Sequence, residues 1–404
     1  MRPSLSERKL VLLIVAADLF NALDFAMVLP LGPDFAKALD IPTSNLGILG
    51  GSYTAAQAVA GIAGAFFLDH LDRRRAFAVA LTGLVVATAA CGFATGFVTL
   101  IAARMIAGVF GGIAETLSYT MISDGIALER RGRVLGMVQS SVAVAQVLGV
   151  PAGLELARLG GWRAPFFGLA ALGTLVVLAV MLMLPPQRAH LLVPPGPFRE
   201  VLRRPVVWLG LGGMAIGMVA HFALVPNLPA YFQLNRGYPR DQLGLLYMIA
   251  GAVGLGTAWF GGLLTDRYGA ARIVAFGATL YAAVLIVGFI YPVDAVPVVL
   301  IFVGLMISSF RFVPMEVLLL RIPGPQERAR FTSVNSAVVC VGSASGAMLG
   351  AQILSEGPNR SLIGMEHLAW FALTLTLVFS AFGYAIERLV RTSEPESPRS
   401  TSPA

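Results

Sequence analysis

The sequence predicts an all-α integral membrane protein with twelve transmembrane helices, arranged in two six-helix bundles related by a pseudo-twofold axis. Three observations lead to this fold class. Hydrophobic residues make up 57% of the 404 residues and charged residues only 13%, about half the charged fraction of soluble domains. Twelve apolar runs are each long enough to cross a bilayer as a helix. Finally, matching residues recur at an offset of 197 between the two halves of the chain.

The apolar runs form two sets of six, separated by a Pro-rich and basic segment. We expect an N-terminal bundle over residues 1–184, a cytoplasmic linker over 185–205, a C-terminal bundle over 206–391 and a tail over 392–404. The tail is polar and poor in aromatic residues, which is typical of disorder. The predicted spans, numbered 1 to 12, lie near residues 9–32, 45–67, 76–95, 98–123, 134–156, 165–184, 206–228, 243–264, 272–291, 296–320, 331–354 and 366–387.

Basic residues between the spans set the predicted orientation. With both termini in the cytoplasm, 21 of the 29 Lys and Arg residues fall in cytoplasmic segments, 6 fall outside, and Arg104 and Arg311 lie within spans. Cytoplasmic loops of membrane proteins carry such an excess of Lys and Arg. The formal net charge of +7 is thus a topology signal, and we expect no nucleic-acid partner. We expect a monomeric, multi-pass protein of the bacterial inner (plasma) membrane.

The internal repeat joins positions in three different parts of each half. Parallel repeats of this kind occur in transporters whose binding site lies between the halves, near the middle of the membrane. The related pairs are Gly47 and Gly244, Asp69 and Asp266, Arg131 and Arg328, Arg133 and Arg330, Gly149 and Gly346, and Gly153 and Gly350.

The chain resembles the major facilitator superfamily over nearly its whole length, and within it the twelve-helix bacterial efflux (drug/proton antiporter-like) branch. The segment GLLTDRYGAAR from Gly262 is similar to the family signature that follows the second span of each half, and AFFLDHLDRRR around Asp69 is a partial copy. LIAARMIAGVFGG in span 4 resembles the family motif in which an Arg precedes a run of small residues. AQVLGVPAG in span 5 resembles the Gly-Pro motif of exporters, although Val150 separates Gly149 from Pro151.

The resemblance implies a secondary transporter that works by alternating access, with spans 1, 4, 7 and 10 lining a central cavity. It also implies a cytoplasmic gate at the signature residues. Their carboxylates would accept bonds from helix N-terminal amides, or pair with Arg across the seam between the halves, only while the gate is shut. The predicted gate residues are Asp69, Arg73, Arg74, Asp266 and Arg267.

Ionisable side chains inside spans are candidate cavity residues, because charges in lipid are costly and mark ion or substrate paths. In span 1, Asp18, Asn21 and Asp24 fan over an arc of about 120°, so one helix face presents all three to a cavity. Carboxylates at this depth are suited to loading and releasing protons. The offset of 197 relates Asp24 to His221 in span 7, and we expect the two to face each other as a proton-sensitive pair.

Spans 4 and 10 add charged candidates. Arg104 and Glu115 face one way, since eleven residues make three turns to within about 20°. Arg104 lies near the outer end, where it can snorkel, whereas Glu115 lies at mid-depth and is a candidate for proton or cation binding. In span 10, Arg311 and Glu316 point in different directions unless Pro314 bends the helix.

We expect Arg311 to face a carboxylate across the cavity, with Asp18 and Glu115 as the candidates. Four uncharged polar residues in spans 2 and 5 are candidate substrate contacts: Tyr53, Gln57, Gln139 and Gln146.

The leading hypothesis is proton-coupled export of small amphipathic compounds, with the substrate, protons and the lipid bilayer as partners. Uptake or exchange of a sugar, an osmolyte or an organic anion, and lipid flipping, remain open on the same scaffold. An enzyme is disfavoured because the sequence has no H-E-x-x-H or Walker motif. We expect no metal and no cofactor, since the only cysteines, Cys91 and Cys340, lie in apolar runs.

Overall fold

The computed structural model describes residues 5–67, 71–184, 203–320 and 328–393. Within them lie 12 helices long and apolar enough to cross a membrane, which confirms the predicted fold class. Each helix coincides with one predicted span. Most of the linker, the tail and Asp69 lie outside the described residues, so the domain boundaries stay a prediction.

The N-terminal half contains spans 1 to 6. Span 1 ends earlier than predicted, at Val28, because Pro30 has no N–H and disfavours helical geometry at the preceding residue. A short helix, Gly32–Ala38, and a 3₁₀ turn, Thr43–Asn45, then lead into span 2. The spans are Leu5–Val28, Leu46–Phe67, Arg73–Gly92, Phe97–Gly125, Leu128–Val144 continued through a π turn Ala145–Gly149 into Val150–Gly160, and Ala164–Met183.

The C-terminal half contains spans 7 to 12. A small antiparallel hairpin, Ser355–Glu356 paired with Leu362–Ile363, separates the last two spans and was not predicted. A 3₁₀ turn, Arg240–Gln242, precedes span 8. The spans are Pro205–Leu224 continued irregularly through Val225–Asn227, Leu228–Ala230 and Tyr231–Asn235; Leu243–Tyr268; Ala270–Leu285 with a π turn Ile286–Ile290; Val298–Ser308 and Phe312–Leu320; Arg328–Ile353; and Met365–Ser393.

Span 10 is interrupted in its middle. A 3₁₀ turn, Ser309–Arg311, lies between its two α-helical parts. Pro314 follows directly, and it cannot donate the backbone hydrogen bond that an α-helix would direct to the carbonyl of Phe310. The predicted break at Pro314 is therefore present, one turn before the proline, as the missing hydrogen bond requires.

Glycines let the helices of each half approach closely. In span 4, a Cβ added at Gly108 would lie 2.2 Å from the carbonyl oxygen of Tyr53 in span 2, and one at Gly112 would lie 2.5 Å from that of Gln57. In span 11, a Cβ added at Gly346 would lie 2.4 Å from the carbonyl oxygen of Val219 in span 7. Small residues at helix contacts serve this purpose in membranes.

The two halves are joined at the face opposite to the termini, which we call the distal face. Arg240 donates two hydrogen bonds to Asp34, with N–O distances of 2.8 and 2.5 Å. Arg360 pairs with Asp40 at 2.5 Å. Glu356 of the hairpin accepts from the backbone N–H of Thr43, at 2.6 Å, and so supplies an acceptor from the opposite half for the first amide of the 3₁₀ turn that leads into span 2.

The opposite face, which carries the termini, is called the terminal face. Its described ion pairs lie within one half: Arg73 with Asp124 at 3.5 Å and Arg130 with Glu7 at 2.9 Å. No ion pair between two described residues joins the halves there. The ion pairs that join the halves through described residues thus lie at the distal face, and the distribution of basic residues predicts that the terminal face is cytoplasmic.

Replacing Gly346 with Ala is expected to destabilise the protein by about 1–3 kcal/mol, because the new methyl group meets a backbone carbonyl that cannot rotate away. Thermal unfolding of purified protein in detergent measures the effect. Gly254→Ala is the matched control, since nothing lies within 4 Å of a Cβ at that position, and it should unfold at the wild-type temperature or above. Equal midpoints for the two variants would contradict this account of the packing.

Candidate functional site

A fully buried ion pair lies inside the N-terminal half. Arg104 in span 4 donates to Oδ2 of Asp24 in span 1 at 2.7 Å, and both side chains are 0% exposed. Thr88 in span 3 donates to the other carboxylate oxygen, also at 2.7 Å. The guanidinium stacks 4.4 Å from the ring centre of Tyr53, whose hydroxyl donates to Asn21 at 2.5 Å. The pair thus ties spans 1, 3 and 4 together over the span 2 tyrosine.

This arrangement corrects three expectations. Asp24 does not pair with His221, because its carboxylate points into its own half-bundle and is satisfied there. Arg104 does not snorkel, because a counter-ion at the same depth holds it inside. Tyr53 is 1% exposed and contacts the ion pair, so it does not line a substrate path in this state.

Glu115 occupies a different environment, at the seam between the halves. Its Oε2 accepts from Gln57 of span 2 at 2.7 Å, and its Oε1 accepts from Ser336 of span 11 at 2.8 Å. It lies ten residues before the end of span 4, about 15 Å from the terminal end of that helix and so near mid-membrane. Glu115 is part-buried and lines a cavity of about 20 Å³, which is large enough for a water molecule.

Asp18 lies beside Glu115 and is 9% exposed. Its Oδ2 has no hydrogen-bond partner, and Ser118 lies close to its carboxyl group. The two carboxylates of Asp18 and Glu115 are within electrostatic range of each other. No Lys or Arg among the described residues forms an ion pair with either. Like charges at this depth repel strongly, because little water screens them.

The span 10 residues diverge, as the helical angle predicted. Arg311 is 1% exposed and stacks 3.9 Å from the ring centre of Tyr281 in span 9. It does not face Asp18 or Glu115, which corrects that expectation, because the 3₁₀ turn directs it into its own half. Glu316 is part-buried and lies within electrostatic range of Tyr119 in span 4, so it belongs with the acidic groups at the seam.

His221 is part-buried and packs its ring 5.6 Å from that of Phe312. Gln57 contacts Glu115, as described. Gln139 is exposed and accepts from the hydroxyl of Tyr119 at 3.4 Å. Gln146 packs against Gly251 of span 8. Of the four candidate substrate contacts, Gln57 is thus the one that touches the seam carboxylates.

The predicted gate residues do not pair across the seam in the described part of the chain. Asp69 lies outside it. Arg73 contacts Asp124, and Arg74 donates to the carbonyl oxygen of Met181, both within the N-terminal half. Asp266 and Arg267 are exposed. Their gate role stays a prediction.

Three contributors escaped the sequence analysis: Thr88, Ser336 and Tyr119. Hydroxyl-bearing residues are common in apolar spans, so the presence of these three in a span did not indicate a functional role. The depth of Asp24 and Arg104 in the membrane would have indicated the ion pair. Asp24 lies four residues before the distal end of span 1 and Arg104 seven residues after the distal start of span 4, so both fall within about 10 Å of the same face.

Chemically, the site separates two kinds of charge. The Asp24–Arg104 pair is neutralised and dry, whereas Glu115 and Asp18 have no cation and lie beside a water-sized cavity. A carboxylate that accepts bonds from both halves changes those bonds when it gains a proton. The seam can therefore respond to proton binding. Among the described residues, no other carboxylate at this depth contacts both halves.

Comparison with known proteins gives the same fold. The chain is 22% identical over 353 residues to the inner membrane transport protein YdhP of Escherichia coli K12, covering 87% of this chain and 90% of that protein. Its fold is similar to that of a bacterial homologue of the human lysosomal transporter Spinster in an inward-facing, occupied conformation. That match has a TM-score of 0.78 at 17% identity, with 98% and 100% of the two chains covered.

A D-xylose-proton symporter is also similar, with a TM-score of 0.76 at 16% identity and 94% and 98% coverage. The family model of the Major Facilitator Superfamily matches residues 14–347 and 241–402, which together take in almost the entire chain. On its twelve spans, its repeated halves and this match, the protein belongs to the Major Facilitator Superfamily and is a secondary transporter of the membrane.

Proposed function

We propose that this transporter exports small amphipathic compounds in exchange for protons, and that Glu115, assisted by Asp18, carries the proton. The observation that supports this most is the position of Glu115. It accepts hydrogen bonds from Gln57 in its own half and from Ser336 in the opposite half, beside a cavity at mid-membrane.

The charge balance favours a proton at this position. Arg104 is neutralised by Asp24, and Arg311 packs against Tyr281 in its own half. The acidic groups at the seam therefore have no positive neighbour among the described residues to oppose their repulsion. A proton bound to either carboxylate removes that repulsion.

Protonation also changes the seam. An ionised Glu115 accepts from both Gln57 and Ser336, whereas a protonated carboxyl becomes a donor at one oxygen. At least one of the two bonds is then lost or reversed. Because one bond joins the halves and the other does not, the protonation state of Glu115 biases how tightly span 11 is held against span 4. That is the coupling between ion and conformation which alternating access needs.

Export rather than uptake is supported by span 5. Its segment Ala145–Gly153 resembles the exporter motif and forms the π turn. A Cβ added at Gly149 would overlap Leu23 of span 1, at 1.8 Å, and one at Gly153 would approach Met27, at 2.7 Å. The motif thus forms the contact between span 5 and the carboxylate-bearing span 1.

The proposal is tested by transport in proteoliposomes of known orientation. Substrates are first found by screening amphipathic compounds for a rise in unfolding temperature, and then counterflow is measured under pH gradients of either sign. Proton-driven export predicts movement against the proton flux. Accumulation in the same direction as the protons would instead establish symport, and insensitivity to both gradients would refute coupling.

Glu115→Gln is expected to abolish transport driven by a pH gradient, by at least tenfold, while leaving substrate exchange without a gradient within about twofold. The amide has the size and the donor–acceptor pattern of the protonated carboxyl but cannot release a proton. Asp18→Asn is expected to shift the pH dependence of driven transport. The control is Glu155→Gln, on an exposed carboxylate outside the seam, which should transport as wild type. Unchanged driven transport by the Glu115 and Asp18 double variant would exclude both as proton carriers.

Asp24→Asn is expected to cost about 3–5 kcal/mol of stability, because it leaves the guanidinium of Arg104 buried without a counter-ion. The double variant Asp24→Asn with Arg104→Gln should recover a large part of this loss, since no charge is then buried. Thermal unfolding in detergent reports the difference, and Glu155→Gln again provides the reference. Additive losses in the double variant would show that the two residues do not act as an ion pair.

A further inference from the structure

A second cationic centre lies inside the C-terminal half, and nothing so far explains its charge. Arg311 is 1% exposed. Its guanidinium lies 3.9 Å from the ring centre of Tyr281 and 4.5 Å from that of Phe312. Its one hydrogen bond runs from Nη1 to the backbone carbonyl of Ser308 at 3.0 Å. The Nε and Nη2 atoms are buried and donate to no group, and no carboxylate among the described residues pairs with them.

Two other buried polar atoms nearby have no partner either. By distance and angle the hydroxyl of Tyr281, a residue 1% exposed, makes no hydrogen bond, although it lies close to the Arg311 guanidinium, and Nδ1 of His221 makes none either. The ring of His221 lies 5.6 Å from that of Phe312, so the same phenylalanine contacts both His221 and Arg311. The field of Arg311 reaches His221 as well. Spans 7, 9 and 10 thus direct unpartnered polar atoms towards one region.

The N-terminal half shows how such a centre is satisfied. There Arg104 also stacks on a tyrosine, at 4.4 Å from Tyr53, and a carboxylate, Asp24, completes it at 2.7 Å. The C-terminal half has an arginine on a tyrosine, but the position related to Asp24 by the internal repeat is His221. The charge that Asp24 supplies in one half has no counterpart among the described residues of the other.

We propose that Arg311, Tyr281 and His221 form a binding site for a small monoanion, either a halide or a carboxylate group. A buried charge without a counter-charge is among the most costly features of a membrane protein, and water would satisfy its hydrogen bonds without neutralising it. A monoanion does both. The two free guanidinium nitrogens offer the paired donors that carboxylates prefer, and the tyrosine hydroxyl and the imidazole each add one donor.

This site is separate from the proton-carrying seam, because Glu115 contacts Gln57 and Ser336 whereas Arg311 packs towards span 9. The proposal therefore does not depend on proton coupling or on the direction of transport. The anion has two sources that share this chemistry: a free halide or carboxylate ion, or the carboxylate of a larger transported molecule.

Binding of radioactive chloride to purified full-length protein tests the site. Sulfate, a dianion and so outside the proposed class of ligand, keeps the ionic strength constant. Wild-type protein is expected to bind chloride saturably, with displacement by formate and acetate. Arg311→Gln should weaken binding at least tenfold, and Tyr281→Phe should weaken it severalfold. Tyr53→Phe, the matched change beneath Arg104, should bind as wild type, since Asp24 already supplies the anion there.

The two sources are separated by a series of larger monocarboxylates. If only halides, formate and acetate compete, the ligand is a free ion; if larger monocarboxylates compete and are also exchanged across proteoliposomes, it is the head group of a substrate. Either result supports the site. No saturable binding by wild-type protein would overturn it. So would binding that persists in both Arg311→Gln and Tyr281→Phe, provided that gel filtration shows both variants to be folded.

Discussion

The ion pair between Asp24 and Arg104 determines how the other charges of this transporter can act. Both side chains are fully buried, and each would be prohibitively costly at this depth without the other. Their pairing requires span 4 to lie close to spans 1 and 2, which the glycines at 108 and 112 permit. Once Arg104 is occupied, the carboxylates deeper in the same bundle have no cation to neutralise them. The ability of the seam carboxylates to bind a proton follows from this lack of a counter-ion.

The sequence predicted the spans well, because hydropathy is a local property and the bilayer imposes a fixed length on each helix. For span 10 it left two alternatives open, divergence of Arg311 and Glu316 or a bend at Pro314 that changes their directions, and the structure has both an interruption there and divergent side chains. It failed where the answer depended on the rotation of one helix against another. Asp24 and Glu115 were both assigned to the cavity, yet one faces inwards and the other faces the seam. The hairpin at 355–363 was missed because two-residue strands leave no periodic pattern.

The two halves repeat the same helices, but they do not carry the same ionisable residues at related positions. The positions 197 residues apart carry the same small residues at helix contacts: Gly149 faces the Leu23 side chain of span 1, and Gly346 faces the backbone of span 7. Packing is thus preserved in both halves. The ionisable groups differ, with an aspartate in span 1 where span 7 has a histidine. A shared scaffold with unlike charges allows each half to interact with a different ion.

The hydrogen bond from Thr43 to Glu356 has a consequence for the speed of the transport cycle. The amide at the start of span 2 has its acceptor in the other half, so separating the halves at the distal face strips a helix end of its cap. Solvent must hydrate that amide and the released carboxylate before the opening is complete. The loop after span 11 therefore sets part of an activation barrier, and its length and sequence offer evolution a way to tune turnover without altering the binding site.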